Sequence, residues 1–140
     1  MSSESKLKIR AMLREVTEIE SIGDSCYNLA RTINHKYRGN EDFTEKQYSH
    51  IHQMFQLTDD ALNQMVSLVE DEGHQVDVNK SFNLENEINN YRSQLKNQNV
   101  LDVNNKEYDY QMGVHYMDLI GECEKLGDYI VNVVEARTDM

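Results

Sequence analysis

The sequence contains no proline among its 140 residues. A chain of this length would on average contain about seven, because proline makes up about 5% of residues. Proline interrupts helices and punctuates loops, so its absence favours a few long helices joined by short turns. Since 140 residues fit a single domain, the sequence predicts one all-α domain over residues 1–140.

Basic residues and cysteines are also scarce. Lys and Arg total 14 against 25 Asp and Glu, which gives a formal net charge of −11. This balance argues against binding of nucleic acid or of an anionic membrane surface, because both require a basic patch. Cys26 and Cys123 are too few for a disulfide scaffold and lack the spacing of a zinc site. No apolar run reaches the roughly 18 residues of a membrane span, so we expect no direct membrane insertion by this segment.

Apolar residues recur at spacings of three and four along four stretches, which predicts four helices. The predicted segments are A (about 5–37), B (from 44 to 70–73), C (from 77 or 79 to about 99) and D (about 106–137). Gly39 is the expected cap at the end of segment A, and Thr44 with Gln47 forms a capping-box pattern at the start of segment B. Short connections make neighbouring helices antiparallel, so we expect an up-down-up-down antiparallel bundle of four long helices.

The apolar positions of segment A recur mostly at spacings of three and four, which is the helical pattern. They are Ile9, Met12, Leu13, Val16, Ile19, Cys26, Ala30 and Ile33. Segment C is richer in Asn, a poor helix former, and its end overlaps a predicted loop over 97–105.

Segments A and D contain an internal repeat. Residues 18–28 and 122–132 are identical at five of eleven positions with a constant offset of 104. The repeated polar residues that line one side of each helix are Glu20, Asp24 and Asn28 in segment A, and Glu124, Asp128 and Asn132 in segment D. Two carboxylates four residues apart repel each other by a few tenths of a kcal/mol, and a cation would relieve that cost. Oxygen ligands suit hard ions such as Mg²⁺, Mn²⁺, Ca²⁺ or Fe³⁺.

A glycine stands at the same place in both copies, as Gly23 and Gly127. Gly costs roughly 1 kcal/mol in a helix interior relative to Ala, so its repetition suggests close approach of a neighbouring helix or ligand. The simpler interpretation is a small-residue crossing point, with the acids pointing to solvent.

These two motifs resemble the E-x-x-x-D motif of PhoU-like domains, which usually reads close to E-R-I-G-D on the third helix of each three-helix repeat. In this sequence the motifs are Glu20-Ser-Ile-Gly-Asp24 and Glu124-Lys-Leu-Gly-Asp128. Segment A is similar to the last helix of one repeat, and segments B to D resemble a complete second repeat. Ser21 stands in place of the usual basic residue, and the first two helices of the first repeat have no counterpart.

The resemblance implies a non-enzymatic regulatory domain that modulates phosphate transport. Related domains form the cytosolic C-terminal part of bacterial sodium/phosphate cotransporter-related membrane proteins. We therefore expect a piece of such a protein on the cytoplasmic side of the inner membrane, with its membrane transporter part as the partner. Because segment A lacks the helices that would cover it, a homodimer is a further expectation.

The resemblance also implies metal ions, with iron, manganese or zinc as the candidates. The expected metal-binding positions are Glu20, Asp24, Glu124 and Asp128, with Glu87 of segment C added and with Asn28 and Asn132 as supporting polar groups. If segments A and D pack antiparallel around a pseudo-two-fold axis, the two motifs would approach each other near its centre.

The sequence also bears on two other classes of function. A metal-free helical protein–protein interaction module is the main alternative. A ferritin-like di-iron bundle needs a Glu three residues before a His, and none of the five histidines has one. No P-loop, G-x-G-x-x-G, H-E-x-x-H or G-x-S-x-G motif is present, so an enzyme has no positive feature in the sequence.

Overall fold

The computed structural model describes residues 2–38, 42–71 and 77–140. Its helices are α1 (Ser3–Arg38), α2 (Glu45–Glu70), α3 (Val78–Asn104) and α4 (Tyr110–Thr138). The predicted all-α class and the four helices are confirmed. The cap that is expected at Gly39 lies outside the described residues, and α2 ends at Glu70, within the expected range of 70–73.

Side-chain caps fix the starts of three helices. Thr44 Oγ1 accepts a hydrogen bond from the backbone N–H of Gln47 at 3.1 Å, and Gln47 Oε1 accepts one from the N–H of Thr44 at 3.0 Å, so the predicted capping box is present. Asp77 caps α3 through the N–H of Asn79, and Asp109 caps α4 through the N–H of Met112. These groups satisfy N–H donors that have no partner within the helix.

The boundary between α3 and α4 differs from the prediction. Helix α3 continues to Asn104, five residues beyond its expected end at Asn99, and α4 begins at Tyr110. Tertiary contact holds this extra turn, since Tyr108 donates a hydrogen bond to Asn99 Oδ1 at 2.6 Å. Val103 also packs closely against α4: a Cβ added at Gly113 would fall 2.9 Å from Val103 Cγ2.

Helix α4 is the central element of the fold. It contacts α1, α2 and α3, and α2 also contacts α3, whereas α1 contacts no described helix other than α4. Helix α2 runs parallel to α4, as the contacts Val69–Arg137 and His50–Tyr116 indicate, and α1 and α3 run antiparallel to α4. The molecule is therefore a three-helix unit with one further helix docked on it, which confirms the predicted one-plus-three arrangement.

The hydrophobic core lies where α2, α3 and α4 meet. The largest fully buried apolar and aromatic side chains are Tyr116, Met54, Ile88, Ile120, Leu126, Ile130, Val133, Val134 and Cys123. Most of them belong to α4, as a helix surrounded by three neighbours requires.

The apolar stripe of α1 is exposed, as expected for a helix that lacks the neighbours which would cover it. All eight apolar residues of its stripe are exposed, including Met12 (50%) and Val16 (58%). The face that α1 turns to α4 instead carries Ala11, Ile22 and Ser25. Periodicity identified the larger apolar stripe correctly, but no described helix covers it.

Arg137 joins three helices at one end of the molecule. Its Nη2 donates to the carbonyl oxygen of Val69 at 2.6 Å, and its Nη1 lies 3.5 Å from Glu15 Oε2. Helix α2 has no basic residue in its own last turn, so α4 supplies the cation that complements its C-terminal carbonyls. Glu15 is only 7% exposed, and Arg137 compensates its charge.

Candidate functional site on helices α1 and α4

Two reciprocal hydrogen bonds join the repeated motifs. Asn28 Nδ2 of α1 donates to Glu122 Oε1 of α4 at 3.3 Å, and Asn132 Nδ2 of α4 donates to Glu18 Oε2 of α1 at 3.2 Å. Adding the repeat offset of 104 to Asn28 and Glu18 gives Asn132 and Glu122, so each bond is the counterpart of the other. The two helices are therefore related by a pseudo-two-fold axis.

The symmetry is broken at Ser25. Its hydroxyl donates to Glu122 Oε1 at 2.9 Å, and Lys125 Nζ lies 3.7 Å from Glu122 Oε2. The residue 104 positions after Ser25 is Tyr129, and within the described residues it makes no corresponding hydrogen bond to Glu18. Glu122 is consequently held by more partners than Glu18.

The predicted metal-binding residues of α4 face α3. Glu124 Oε2 lies 3.4 Å from Nε of Arg92, and Asp128 is within hydrogen-bonding reach of Glu85. Desolvation between the helices raises the pKa of Asp128, and the hydrogen bond with Glu85 lowers it in part. Desolvation also raises the pKa of Glu85, with the negative charges of Asp128 and Glu135 adding to the increase.

The predicted metal-binding residues of α1 are exposed. Glu20 and Asp24 have no hydrogen-bond or ion-pair partner among the described residues, and Glu87 on α3 is also exposed. The structure therefore brings Glu124 and Asp128 against α3 but brings neither of them to Glu20 or Asp24. The side chains that cross between α1 and α4 belong to Glu18, Asn28, Glu122 and Asn132.

No group of three or more His, Cys, Asp or Glu side chains arranged to hold a metal ion occurs in the described parts of the chain. A single site shared by all four motif carboxylates thus has no support in the geometry. Arg92 also competes for Glu124, because a guanidinium already neutralises that carboxylate. Metal binding at either motif stays a prediction.

The two repeated glycines lie in different environments. Gly127 is buried, and a Cβ added there would meet Ile88 Cδ1 of α3 at 3.4 Å. A Cβ added at Gly23 would meet nothing within 4 Å. Helix α3 therefore lies in van der Waals contact with the position of Gly127, whereas no described residue lies near the position of Gly23.

Sequence reasoning missed the partners of these motifs on α3 and across the helix pair. Glu18 and Glu122 are among the five identical positions of the repeat, so the repeat could have predicted that these two residues have equivalent roles. Arg92 and Glu85 carry no comparable signal, because their role depends on α3 packing beside α4. Glu85 stands two residues before the predicted Glu87, on a different side of the helix.

A match to a family model decides the classification. The PhoU domain model matches residues 51–136, which is more than half of the chain. The chain belongs to the PhoU family. No curated protein and no solved structure matches it significantly.

The PhoU match covers most of α2, the whole of α3 and nearly all of α4. It thus coincides with the three-helix unit, which is the complete repeat inferred from the sequence. PhoU domains form a non-enzymatic, phosphate-related regulatory family. No helix within the described ranges has the combination of length and apolar character needed to cross a membrane.

Proposed function

We propose that this chain is the cytoplasmic regulatory domain of a sodium/phosphate cotransporter-related protein, where it modulates phosphate transport by contact with the membrane transporter part. The observation that carries the proposal is the PhoU repeat formed by α2, α3 and α4. The fold adds a three-helix unit with α1 docked on its central helix, an arrangement that offers helix surfaces for contact with another protein part. No step of this function requires chemistry at a catalytic group.

The proposal is tested in the organism whose genome encodes this chain. The coding sequence of these 140 residues is deleted, with any flanking coding sequence kept in frame, and uptake of labelled phosphate is followed with and without sodium. We expect a changed sodium-dependent uptake rate that is restored when the segment is returned. Identical uptake with and without the segment, at both scarce and abundant phosphate, would contradict a role in transport.

The proposal includes metal binding at the two E-x-x-x-D motifs, with iron, manganese or zinc as the ion. Each motif offers two carboxylates, and the pair formed by Asp128 with Glu85 adds an oxygen donor from α3. These groups fit a hard cation by their chemistry, although fewer than three protein ligands converge among the described residues. Such an ion would neutralise the negative charge that Glu85 and Asp128 hold together.

Metal content can be measured by plasma mass spectrometry on protein purified without chelators or an affinity tag. Replacement of Asp24 and Asp128 with Asn should abolish the bound metal, whereas replacement of the exposed Asp59 and Asp60 of α2 with Asn should leave it unchanged. Wild-type protein that is folded, carries less than about a tenth of an equivalent of metal and gains no thermal stability from added ions would overturn this part of the proposal.

A metal-free protein–protein interaction module is the second candidate, and the ion pair between Arg92 and Glu124 favours it. In that case the motif on α4 is a packing element between α3 and α4. The double Asp→Asn variant would then keep or gain thermal stability, with no change in metal content.

A further inference from the structure

His50 of α2 is hydrogen-bonded to a tyrosine hydroxyl inside the bundle. Its ring nitrogen Nδ1 lies 3.0 Å from the phenol oxygen of Tyr116 on α4. Tyr116 is 1% exposed, and no other described residue forms a hydrogen bond with its hydroxyl. A buried hydroxyl that loses its partner destabilises the fold, so this contact helps to hold α2 on α4.

Charged and aromatic groups from α2, α3 and α4 surround the imidazole. Lys46 stands one turn earlier on α2, and its Nζ lies 3.3 Å from Oδ2 of Asp102 on α3. Tyr91 of α3 meets the His50 ring edge to face, with the ring centroids 6.3 Å apart. The charged and titratable groups that face His50 are therefore Lys46, Asp102, Tyr91 and Tyr116.

These surroundings favour the neutral form of the imidazole. Burial lowers the pKa of His50 below its usual value of 6.5, and the positive charge of Lys46 lowers it further. The negative charge of Asp102 acts in the opposite direction, but Lys46 also pairs with that carboxylate. Burial raises the pKa of Tyr116 and of Tyr91, so both phenols stay protonated near neutral pH.

The hydrogen bond to Tyr116 also depends on the charge of the ring. A neutral imidazole has one acceptor nitrogen, and a phenol O–H can donate to it. Protonation turns Nδ1 into a donor, so the Tyr116 O–H then needs a different acceptor. Among the described residues no other hydrogen-bond partner of this hydroxyl is present. Proton uptake by His50 therefore leaves the buried phenol proton without a partner.

The start of α2 is joined to its neighbours by three polar contacts. They are Lys46–Asp102, His50–Tyr116 and Gln53–Tyr91. Phe43, which precedes α2, packs against the ring of Tyr116 with the centroids 6.4 Å apart and is 7% exposed. Of the three contacts, only that of His50 contains a group whose usual pKa lies near neutrality. A change of pH below neutrality thus acts on this end of α2 through His50.

We propose that His50 is a pH-sensitive switch, which holds the start of α2 on α4 while its imidazole is neutral and releases it when the imidazole takes up a proton. In the released state the first turns of α2 separate from Tyr116, while α3 and α4 stay paired. Because folding lowers the pKa of His50, its contribution to stability is complete above the pKa of the unfolded chain. That contribution is lost as pH falls through the pKa of the folded protein.

NMR titration of the histidine ring signals in the purified chain is the first test. The midpoint for His50 in the folded protein should lie below the midpoint of the same residue in the urea-unfolded chain. Tyr116→Phe removes the hydroxyl that favours the neutral ring, so this variant should raise the midpoint in the folded protein. A wild-type midpoint at or above that of the unfolded chain would overturn the proposal.

Amide hydrogen exchange locates the release. Protection factors, which correct for the pH dependence of intrinsic exchange, are compared at about pH 7.5 and about pH 5.5, on either side of the usual histidine pKa. Protection over residues 47–54 should fall by up to about tenfold for each unit by which folding lowers the pKa of His50. Protection in the middle of α4 should fall less. An equal loss in all helices would contradict a switch confined to the start of α2.

His50→Asn is the decisive variant. The Asn Oδ1 occupies about the position of the histidine Nδ1, so it can accept the hydrogen bond from Tyr116 but does not titrate. Protection at the start of α2 should then no longer depend on pH. His52→Asn is the matched control, because His52 is exposed on the same helix, and it should keep the wild-type response.

Comparison of each variant with the wild type at the same pH cancels the opposite pH dependence of Asp128 and Glu85, because both carboxyl groups are unchanged. A pH response that survives in His50→Asn, or one that is lost in His52→Asn, would overturn the assignment of the switch to His50.

Discussion

Asn132 of α4 donates a hydrogen bond to Glu18 of α1 over 3.2 Å, at the position where the pseudo-two-fold axis requires a counterpart to the bond between Asn28 and Glu122. The two bonds lie ten residues apart along each helix, and Gly23 and Gly127 fall midway between them. The repeated residues therefore include two reciprocal hydrogen bonds that join α1 to α4. The carboxylates of the PhoU motif take no part in these bonds.

The two reciprocal hydrogen bonds should contribute unequally to the free energy of unfolding. Asn132→Ala leaves Glu18 without its described partner, so it should lower the free energy of unfolding by about 1 to 2 kcal/mol. Asn28→Ala should cost less, about 0.5 kcal/mol, because Ser25 and Lys125 still hold Glu122. Urea unfolding followed by circular dichroism measures both values. A larger loss for Asn28→Ala would show that the bonds on Glu122 are not redundant.

The two repeated glycines should respond differently to alanine. Gly23→Ala adds a methyl group where nothing lies within 4 Å, so it should raise the free energy of unfolding by about 1 kcal/mol through helix propensity. Gly127→Ala should gain less or lose stability, because its Cβ would fall 3.4 Å from Ile88 Cδ1. Thermal unfolding of the two variants side by side gives the comparison. A loss of stability in Gly23→Ala would mean that a neighbour covers that face in solution.

Arg137 should be required for the end of the molecule where α1, α2 and α4 meet. Arg137→Met removes the donor to Val69 and leaves the buried charge of Glu15 uncompensated, so it should destabilise the fold by about 3 kcal/mol. The double variant Arg137→Met with Glu15→Met should recover much of that loss, because no unpaired charge is left. Chemical denaturation of the single and double variants decides whether the buried carboxylate is the cause.

The pair of Asp128 and Glu85 should make stability depend on pH in a defined direction. The pKa of each carboxyl group is raised in the folded protein, so ionisation disfavours the folded state. Their favourable contribution is complete below the pKa of the unfolded chain and is lost as pH rises through the folded pKa. Asp128→Asn should therefore raise the melting temperature at pH 7, and this gain should vanish below about pH 4.

The control for that experiment is Asp24→Asn in α1. Asp24 is exposed and has no described partner, so its replacement should change stability by less than about 0.5 kcal/mol at either pH. The measurements are made with a chelator present, so that any bound metal does not contribute. Equal gains in the two variants would trace the effect to repulsion within each motif instead of the contact with Glu85.

The turn after α3 offers a separate prediction. Lys106 adopts a positive φ of 59°, in the left-handed region that favours glycine. Lys106→Gly should stabilise the protein by up to about 1 kcal/mol, because the side chain no longer opposes that conformation. Asn105→Gly should instead destabilise it, since Asn105 has an ordinary φ of −85° and glycine adds freedom to the unfolded chain. Thermal unfolding of both variants measures whether their melting temperatures shift in these opposite directions.

The amino-acid sequence by itself determined the helices and the repeat. The absence of proline, the apolar periodicity and the Thr44–Gln47 capping box are local signals, and local signals were enough to predict four helices with the correct order. The matched motifs at residues 18–28 and 122–132 likewise led to the PhoU resemblance, which the family match over residues 51–136 confirms.

Tertiary structure alone decided which side of each helix is used. The apolar stripe of α1 around Val16 is exposed, and α4 packs against the side that carries Ile22 and Ser25. Arg92 beside Glu124 and Arg137 at the end of α2 also depend on contacts between residues distant in sequence. The physical reason is that periodicity reports which side of a helix is apolar, whereas burial depends on which neighbour is present to cover it.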